Sequence, residues 1–156
     1  MPTSSRFAVA SHVLVAMAMR DGVPLRSEDI AERARTNPTV IRRLLTTLNR
    51  AGITTSQLGL GGGSLLAREP ERISLLDVYR AVEEPELFAA PRCPPDETCP
   101  IGGNIGAVLE RHTERAEAAL ERELAAISLA DLAGEVAQAG KVAEAGKVAD
   151  EVSESP

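Results

Sequence analysis

Aromatic residues are almost missing from this sequence. Its 156 residues include no tryptophan, one tyrosine and two phenylalanines, although 44% of the residues are hydrophobic. Leucine, valine, isoleucine and alanine must therefore supply the apolar interior, and a chain of this length can bury a sizeable core. The composition is typical of a helical protein with an aliphatic core, built as one domain plus an extended element.

Long hydrophobic runs are missing as well. No stretch approaches the roughly 18 apolar residues of a membrane span. The apolar N-terminus is flanked by a single basic residue, Arg6, and interrupted by His12, so it fits an amphipathic helix better than a signal peptide. We therefore expect a cytoplasmic protein that does not contact membranes. In that compartment the two cysteines, Cys93 and Cys99, are not expected to form a permanent disulfide.

The sequence also lacks a recognisable catalytic set. It shows no Ser/His/Asp arrangement and no pair of acids placed for acid–base catalysis. The glycine run GLGGG is followed by neither a lysine nor a helix, so it does not match a nucleotide-binding phosphate loop. The sequence predicts that this protein is not an enzyme.

Charge is distributed unevenly along the chain. Residues 1–72 hold ten Lys and Arg against six Asp and Glu, a net charge of +4, whereas the remaining residues hold seven against seventeen, a net charge of -10. The overall charge of -6 argues against nonspecific coating of nucleic acid. A basic N-terminal half still allows a local DNA footprint, and the acidic half can be simple solvated helix surface.

Start and stop signals predict three helices in the first fifty residues. The first covers 4–20, and the second follows Ser27, a plausible N-cap with acids in the next turn. Asn37 and Pro38 predict the start of the third, and Gly52 predicts its end. Its apolar residues recur with helical spacing and should face inward: Ile41, Leu44, Leu45 and Leu48. The second and third helices together predict a helix-turn-helix.

The third helix leaves a polar face for solvent or for a ligand. Thr39, Arg42, Arg43 and Thr46 have the i, i+3, i+4, i+7 spacing of one face. Arginine can bind phosphate or read guanine, and threonine can contact base edges or phosphates. We predict a DNA-binding face, with an ordinary solvated helix surface as the alternative.

A hairpin follows this helix directly. GITTSQL and SLLAR read as two strands joined by the glycine run. Gly61 and Gly62 permit positive φ and allow backbone N–H groups to approach a phosphate closely. A helix-turn-helix followed by a hairpin predicts a winged helix, with Ser56 and Gln57 on the wing.

A long helix is predicted from Asn104 to residue 127. Its stripe repeats in steps of three and four and predicts a dimerisation surface: Ile105, Leu109, His112, Ala116, Ala119 or Leu120, Leu124 and Ile127. Packing against the first helix of the same chain is the alternative. A short final helix capped by Ser128 should follow, and we expect the tail, 137–156, to be disordered or a frayed helix.

Four segments in this order resemble the Rrf-type (IscR/NsrR/CymR-like) winged helix-turn-helix transcriptional regulator family. They are TNPTVIRRLLTTLNRAGI, GLGGGSLLA, ISLLDVYRAVEE and CPIGGNIG, and the resemblance extends from about Ser4 to Val136. It implies a homodimer that binds a pseudo-palindromic operator in double-stranded DNA, usually as a repressor. Each recognition helix would enter a major groove, and each wing would lie at a minor groove.

The wing departs from the pattern of this family. Relatives often carry a basic residue before the glycines, where this chain has Leu58, and an aromatic residue after them, where it has Ser64. Ser56, Gln57 and backbone amides would then have to make the contacts of the wing.

The cysteines depart from the family pattern too. Cluster-binding relatives have three cysteines before the long helix; here Cys93 and Cys99 match the first two, and the next equal step falls on Ile105. An iron–sulfur cluster usually needs four ligands. His12 lies near a position from which some relatives recruit a ligand, but a histidine on an apolar helix face is more often a packed core residue. We therefore predict no cofactor and no metal. A weakly held iron–sulfur cluster remains an alternative, as does redox sensing by the two thiols.

These observations predict a mainly α fold: a winged helix-turn-helix domain with a small two-stranded wing and a long dimerisation helix. The DNA-binding domain would span 1–84, a loop with two cysteines 85–103, and the dimerisation helix with a short C-terminal helix 104–136. The predicted function is that of a dimeric, sequence-specific DNA-binding regulator, a repressor by resemblance, responding to a redox or small-molecule signal. A winged-helix protein-interaction module without specific DNA binding is the alternative.

Overall fold

The computed structural model describes residues 5–20, 22–84, 87–88 and 98–153, with side chains described up to residue 142. In chain order the elements are α1 (Arg6–Ala18), α2 (Ser27–Arg33), α3 (Pro38–Arg50), β1 (Thr54–Gln57), β2 (Gly63–Leu66), a 3-10 turn (Pro70–Arg72), α4 (Leu75–Val82), α5 (Gly102–Ala125) and α6 (Leu129–Ser153). The predicted mainly α winged helix with a two-stranded wing is confirmed.

Helix α3 begins and ends at the residues that the sequence predicts. The Asn37 side chain accepts a hydrogen bond from the Thr39 N–H at 2.8 Å, and Pro38 occupies the first helical position. At the other end Gly52 adopts a φ of +67°, while the Ile53 N–H donates to the Leu48 carbonyl at 3.0 Å. This left-handed termination turns the chain straight into the hairpin.

The start of α2 differs from the prediction. Arg26, not Ser27, is the N-cap residue, and Ser27 is the first residue of the helix. The turn between α2 and α3 contains Arg35 with a φ of +48°, the positive-φ position that glycine or asparagine usually occupies. The Thr36 N–H donates to the Ala31 carbonyl at 2.9 Å, so the left-handed residue closes α2 and redirects the chain into α3.

The two strands of the wing pair antiparallel, with Thr54 opposite Leu66 and Gln57 opposite Gly63. Outside the hairpin, Leu25 forms an isolated bridge with Ser64: the two residues exchange N–H···O bonds of 3.0 and 2.8 Å. The segment before α2 is thereby fixed beside the base of the wing.

The core is aliphatic, as the composition predicts. α1 contributes its central residues and packs on α4 and α6, while α3 supplies the inward face that its spacing predicted. The largest fully buried side chains come from five different segments of the chain: Leu14, Ile41, Leu48, Ile53, Ile73 and Leu129, with Val13 and Val78 beside them. None of the helices in the described part of the chain is long and apolar enough to cross a membrane.

The two C-terminal helices differ in extent from the prediction. α5 begins at Gly102 and ends at Ala125, so Ile127 lies in the connection rather than on the helix. α6 runs from Leu129 to Ser153, where the sequence analysis expected a short helix and a disordered or frayed tail. Residues 137–153 include five alanines and no proline, and alanine has the highest helix propensity, which favours continuation of the helix.

The starts of α4 and α6 lie side by side. The Leu75 N–H donates to the Ile127 carbonyl at 2.9 Å, and the Leu129 N–H donates to the Ile73 carbonyl at 2.7 Å. Each helix also has a serine cap whose hydroxyl accepts from the third helical N–H: Ser74 from Asp77, and Ser128 from Asp131, both at 3.1 Å. The hydrogen bond from Ser128 lowers the pKa of the Asp131 carboxyl.

Leu129 provides a test of this arrangement. Its side chain is 0% exposed, so Leu129→Ala should lower the free energy of unfolding by about 2–5 kcal/mol, because a large apolar group is removed from a packed site. Urea denaturation measures the change. Val142→Ala, at an exposed position on the same helix, is the control and should leave stability nearly unchanged. Equal midpoints for the two variants would contradict the packing of α6 on the core.

Candidate nucleic-acid interface

An open groove of about 770 Å³ lies between α3 and the wing. Exposed residues of α3 form one wall, and the hairpin forms the other. The segment that begins α2 closes one side. The lining residues are Leu25, Arg26, Ser27, Glu28, Arg42, Leu45, Thr46, Asn49, Arg50, Thr55, Ser56, Gln57, Gly63 and Ser64. The groove exists because Gly52 turns the chain back beside α3 and the Leu25–Ser64 bridge holds the α2 segment against the hairpin.

The groove takes in one edge of the predicted face of α3. Arg42 and Thr46 line the groove together with Ser56 and Gln57 of the wing, whereas Arg43 does not. Arg43 lines a second depression, where Glu83 and Glu84 also lie. Thr39 is exposed in the first turn of the helix. Residues at i, i+3, i+4 and i+7 stay on one face of a helix, so Arg42 and Thr46 lie at the edge of this face toward the groove and Arg43 lies at its other edge.

Arg42 is held by two residues from α2. Its Nη2 lies 2.5 Å from Glu28 Oε1, and its Nε donates to Ser27 Oγ at 3.3 Å. The hydrogen bond from Arg42 lowers the pKa of the Glu28 carboxyl, so the carboxylate remains charged at neutral pH. Both side chains are more than half exposed, and an ion pair in this setting is screened by water and exchanges readily. The guanidinium is thus placed at the mouth of the groove without being locked there.

The hydroxyl of Thr46 is directed back to its own helix. It donates to the Arg42 carbonyl at 2.9 Å, and Thr47 makes the same kind of bond to the Arg43 carbonyl at 3.2 Å. Thr46 therefore offers its methyl group and its oxygen lone pairs to a ligand, rather than an O–H donor. A threonine methyl group is suited to contact with the methyl group of thymine.

The sequence pattern did not predict three of the groove residues as DNA-binding residues: Arg26, Asn49 and Arg50. The spacing along α3 could have identified Asn49 and Arg50, which lie seven and eight residues beyond Arg42 and so return to the same side of the helix. Arg26 gave no such signal, since only the bridge between Leu25 and Ser64 brings it to the groove. With these residues the groove carries three arginines against the single carboxylate of Glu28.

The tip of the wing is a glycine turn. Gly59 and Gly61 have φ values of +97° and +81°. A Cβ atom on Gly62 would lie 2.3 Å from the Gln57 carbonyl oxygen, so no other residue fits that position without movement of the backbone. The Gly62 N–H donates to the Gly59 carbonyl at 3.0 Å. This amide closes the turn and is therefore not available to a phosphate, contrary to the expectation from the sequence.

The predicted dimerisation stripe on α5 is only partly covered. α5 packs on α4, where Arg80 forms a 2.9 Å ion pair with Glu121, and Leu120 and Leu124 are half-buried. At the N-terminal end Ile105 and Leu109 are 48% and 56% exposed, and no residue of α5 is buried. The uncovered apolar surface is therefore concentrated in the first two turns of the helix.

The cysteine site is described only in part, because Cys93 lies outside the described residues. The Cys99 thiol is exposed before α5, and hydrogen bonds from the backbone N–H groups of Gly102 and Ile101 lower its pKa. Within the described ranges no three His, Cys, Asp or Glu side chains lie close enough together to hold a metal ion. His12, expected in the core, is exposed on α1 instead.

The lowered pKa of Cys99 predicts its reactivity. In a Cys93→Ser variant, where Cys99 is the remaining thiol, the rate of alkylation by iodoacetamide should rise with pH at a lower midpoint than in the same protein in denaturant, because the thiolate is the nucleophile. Mass spectrometry of quenched samples gives the rates. Identical midpoints with and without denaturant would show that the helix start does not stabilise the thiolate.

Comparison with known proteins places this geometry in context. Residues 3–135 match the family model Rrf2, described as an iron-dependent transcriptional regulator. YwnA of Bacillus subtilis, named as a candidate HTH-type transcriptional regulator, is 42% identical over 129 residues, which cover 83% of this chain and 95% of YwnA. Protein rrf2 of Nitratidesulfovibrio vulgaris is 34% identical over 134 residues, covering 85% of this chain and 87% of that protein.

Solved structures share the fold. The structure of T. potens IscR superposes with a TM-score of 0.68 at 24% identity, covering 89% of this chain and 90% of that one. At this level of identity the similarity shows the winged-helix architecture and the arrangement of its helices.

Proposed function

Because the chain belongs to the Rrf2 family of DNA-binding helix-turn-helix transcriptional regulators, and is not an enzyme, we propose that it binds a pseudo-palindromic operator as a homodimer and represses transcription. The observation that carries the proposal is the arginine groove between α3 and the wing. An α-helix fits the major groove of B-DNA, and a neighbouring hairpin then lies over the phosphate backbone toward the minor groove.

On this proposal α3 is the recognition helix. Arg42 would exchange its contact with Glu28 for a guanine edge or a phosphate, and the Thr46 methyl group would contact thymine. Asn49 has the donor and acceptor groups that pair with adenine. Arg26 and Arg50 would bind phosphates of the DNA backbone on either side of the groove. Thr39 and Arg43, exposed on the same face but outside the groove, would contact a phosphate of the adjoining strand.

The wing would fix the angle at which α3 enters the DNA. Ser56 and Gln57 line the groove with their polar side chains exposed, and both can donate hydrogen bonds to phosphate oxygens or minor-groove acceptors. Gly61 has a left-handed conformation and no side chain, so the turn is narrow enough to approach the DNA backbone.

The dimer would form through α5, with Ile105 and Leu109 against the partner helix. The support is a group of exposed apolar side chains at this end of the helix, which also includes Ile101 and Val108. A two-fold dimer matches an operator whose half-sites lie about one helical turn apart.

Repression would follow from occupancy of a promoter by this dimer. We place the protein in the cytoplasm, where its DNA is, and we retain redox or a small molecule as the signal.

The arginines can be tested by the salt dependence of binding. Arg42→Ala and Arg50→Ala should each weaken binding to a duplex that the full-length protein selects from a random-sequence pool. Loss of a phosphate contact should reduce the salt slope by roughly one unit, and loss of a base contact should cost roughly 1–3 kcal/mol and relax specificity. Fluorescence anisotropy between 50 and 300 mM salt, spanning roughly the range over which such contacts are screened, gives both quantities.

Two further variants complete this experiment. Arg43→Ala should reduce the slope with little change in sequence preference, because it lies outside the groove. Lys141→Ala, on the exposed surface of α6, should change neither quantity. If the full-length protein selects no sequence at all, specific DNA binding is the wrong function, and a protein-interaction module becomes the better account of the acidic C-terminal half.

The dimer has its own test. Ile105→Glu combined with Leu109→Glu places two charges on the uncovered surface and should give a monomer by sedimentation velocity, because desolvating these carboxylates opposes association. Both side chains are exposed, so folding should be retained. Val142→Glu, at an exposed position on α6, should leave the dimer intact. A double variant that sediments as the wild type would place the interface elsewhere.

A further inference from the structure

The wing of this protein carries no charge. Between Arg50 and Arg68 the sequence contains no Asp, Glu, Lys, Arg or His. Every cation near the groove therefore comes from α3 or from the start of α2. Whatever the wing contributes to a DNA contact, it cannot contribute ion pairs with phosphate, which normally dominate the affinity of such contacts.

The tip of the wing presents two leucines to solvent. Leu58 and Leu60 have 93% and 107% of their reference surface exposed, more than any other large hydrophobic residue in the described part of the chain; the next is Ile101 at 72%. They flank Gly59 in the turn, and neither side chain packs on the body of the domain. Two neighbouring apolar side chains that are fully exposed to solvent are typical of a contact site.

The backbone holds these leucines in a fixed position. Gly59 and Gly61 adopt left-handed conformations, and the hydrogen bond from Gly62 to Gly59 closes the turn. Below the turn, Gly63 packs so closely on the Leu25 backbone that an added Cβ atom would lie 2.6 Å from the Leu25 carbonyl oxygen. The hairpin is thereby anchored at its base, and its tip projects beyond the groove.

We propose that Leu58 and Leu60 are the apolar DNA contacts of the wing and enter the minor groove beside the site read by α3. The proposal rests on the function given above, and it is supported by continuity: the strands that carry the tip form one wall of the arginine groove. The walls of the minor groove are sugar rings and base edges, which offer apolar surface within reach of a narrow, uncharged tip. Leucine is among the side chains that act as wedges between base steps in other minor-groove binders.

The composition of the tip favours this occupant over a second protein. Two leucines on a convex turn supply far less than the roughly 800 Å² per partner that a stable protein interface buries. The DNA complex does not need a large area from the tip, because the arginines of the groove provide the electrostatic attraction. Gln57, next to Leu58 in sequence, adds an amide that can donate to the acceptors on the minor-groove floor.

The test is a double variant, Leu58→Ser with Leu60→Ser, in the full-length protein. Because both side chains are exposed, the substitutions should leave thermal stability unchanged. We expect binding to the selected duplex to weaken by about tenfold, as partial burial of two leucines implies. The salt slope should stay at the wild-type value, since no phosphate contact is lost. Val142→Ser is the matched control for removal of an exposed aliphatic side chain and should bind as the wild type does.

A minor-groove competitor adds an independent readout. Netropsin should lower the affinity of the wild-type protein for the duplex toward that of the double variant. It should lower the affinity of the double variant much less. Wild-type affinity in the double variant, while Arg42→Ala still lowers it, would overturn the leucine contact and leave the proposed function standing. A loss of sedimentation mass without a loss of DNA affinity would assign the leucines to a protein contact instead. Failure of the wild type to select any duplex would remove the function itself.

Discussion

The groove depends on one pair of backbone hydrogen bonds, those between Leu25 and Ser64. They join the segment before α2 to the base of the wing, although the two residues are far apart in sequence. One consequence is that Arg26, Ser27 and Glu28 form a side of the groove that the helix-turn-helix alone would lack. Another is that the wing has a fixed direction relative to α3. Because backbone groups inside a packed domain are costly to leave unpaired, this pair of hydrogen bonds holds the base of the wing against the segment before α2.

A second junction connects the DNA-binding unit to the C-terminal helices. Ile73 and Leu75 exchange backbone hydrogen bonds with Leu129 and Ile127, and the serine caps of α4 and α6 lie next to them. The end of α5 is thus tied to the start of α4, which packs on α3. Helix α5 is therefore connected to α3 through α4.

Much of the fold could be predicted because its signals are local. Asn37 and Pro38 start α3 and Gly52 ends it, since a cap acts on N–H groups within three residues of itself. The inward residues of α3 follow from a helical repeat that needs no knowledge of the partner surface. Local signals also misled: Ser27 has the composition of a cap, yet Arg26 takes that position and the Ser27 hydroxyl turns to Glu28 and Arg42. Arg35 accepts the left-handed position of the turn that the sequence gave no reason to expect.

The sequence by itself determined which residues could bind DNA: an arginine-rich helix after a capped turn, and an uncharged glycine hairpin directly behind it. Tertiary structure decided which of them act together. It placed the wing beside Arg42 and Thr46 rather than Arg43, brought Arg26 to the groove, engaged the Gly62 amide within the turn, and left Leu58 and Leu60 exposed at the tip. The reason is physical: a helical repeat and a cap are set by neighbours a few residues away, whereas a groove is set by backbone pairs and packed surfaces between segments that are distant in sequence.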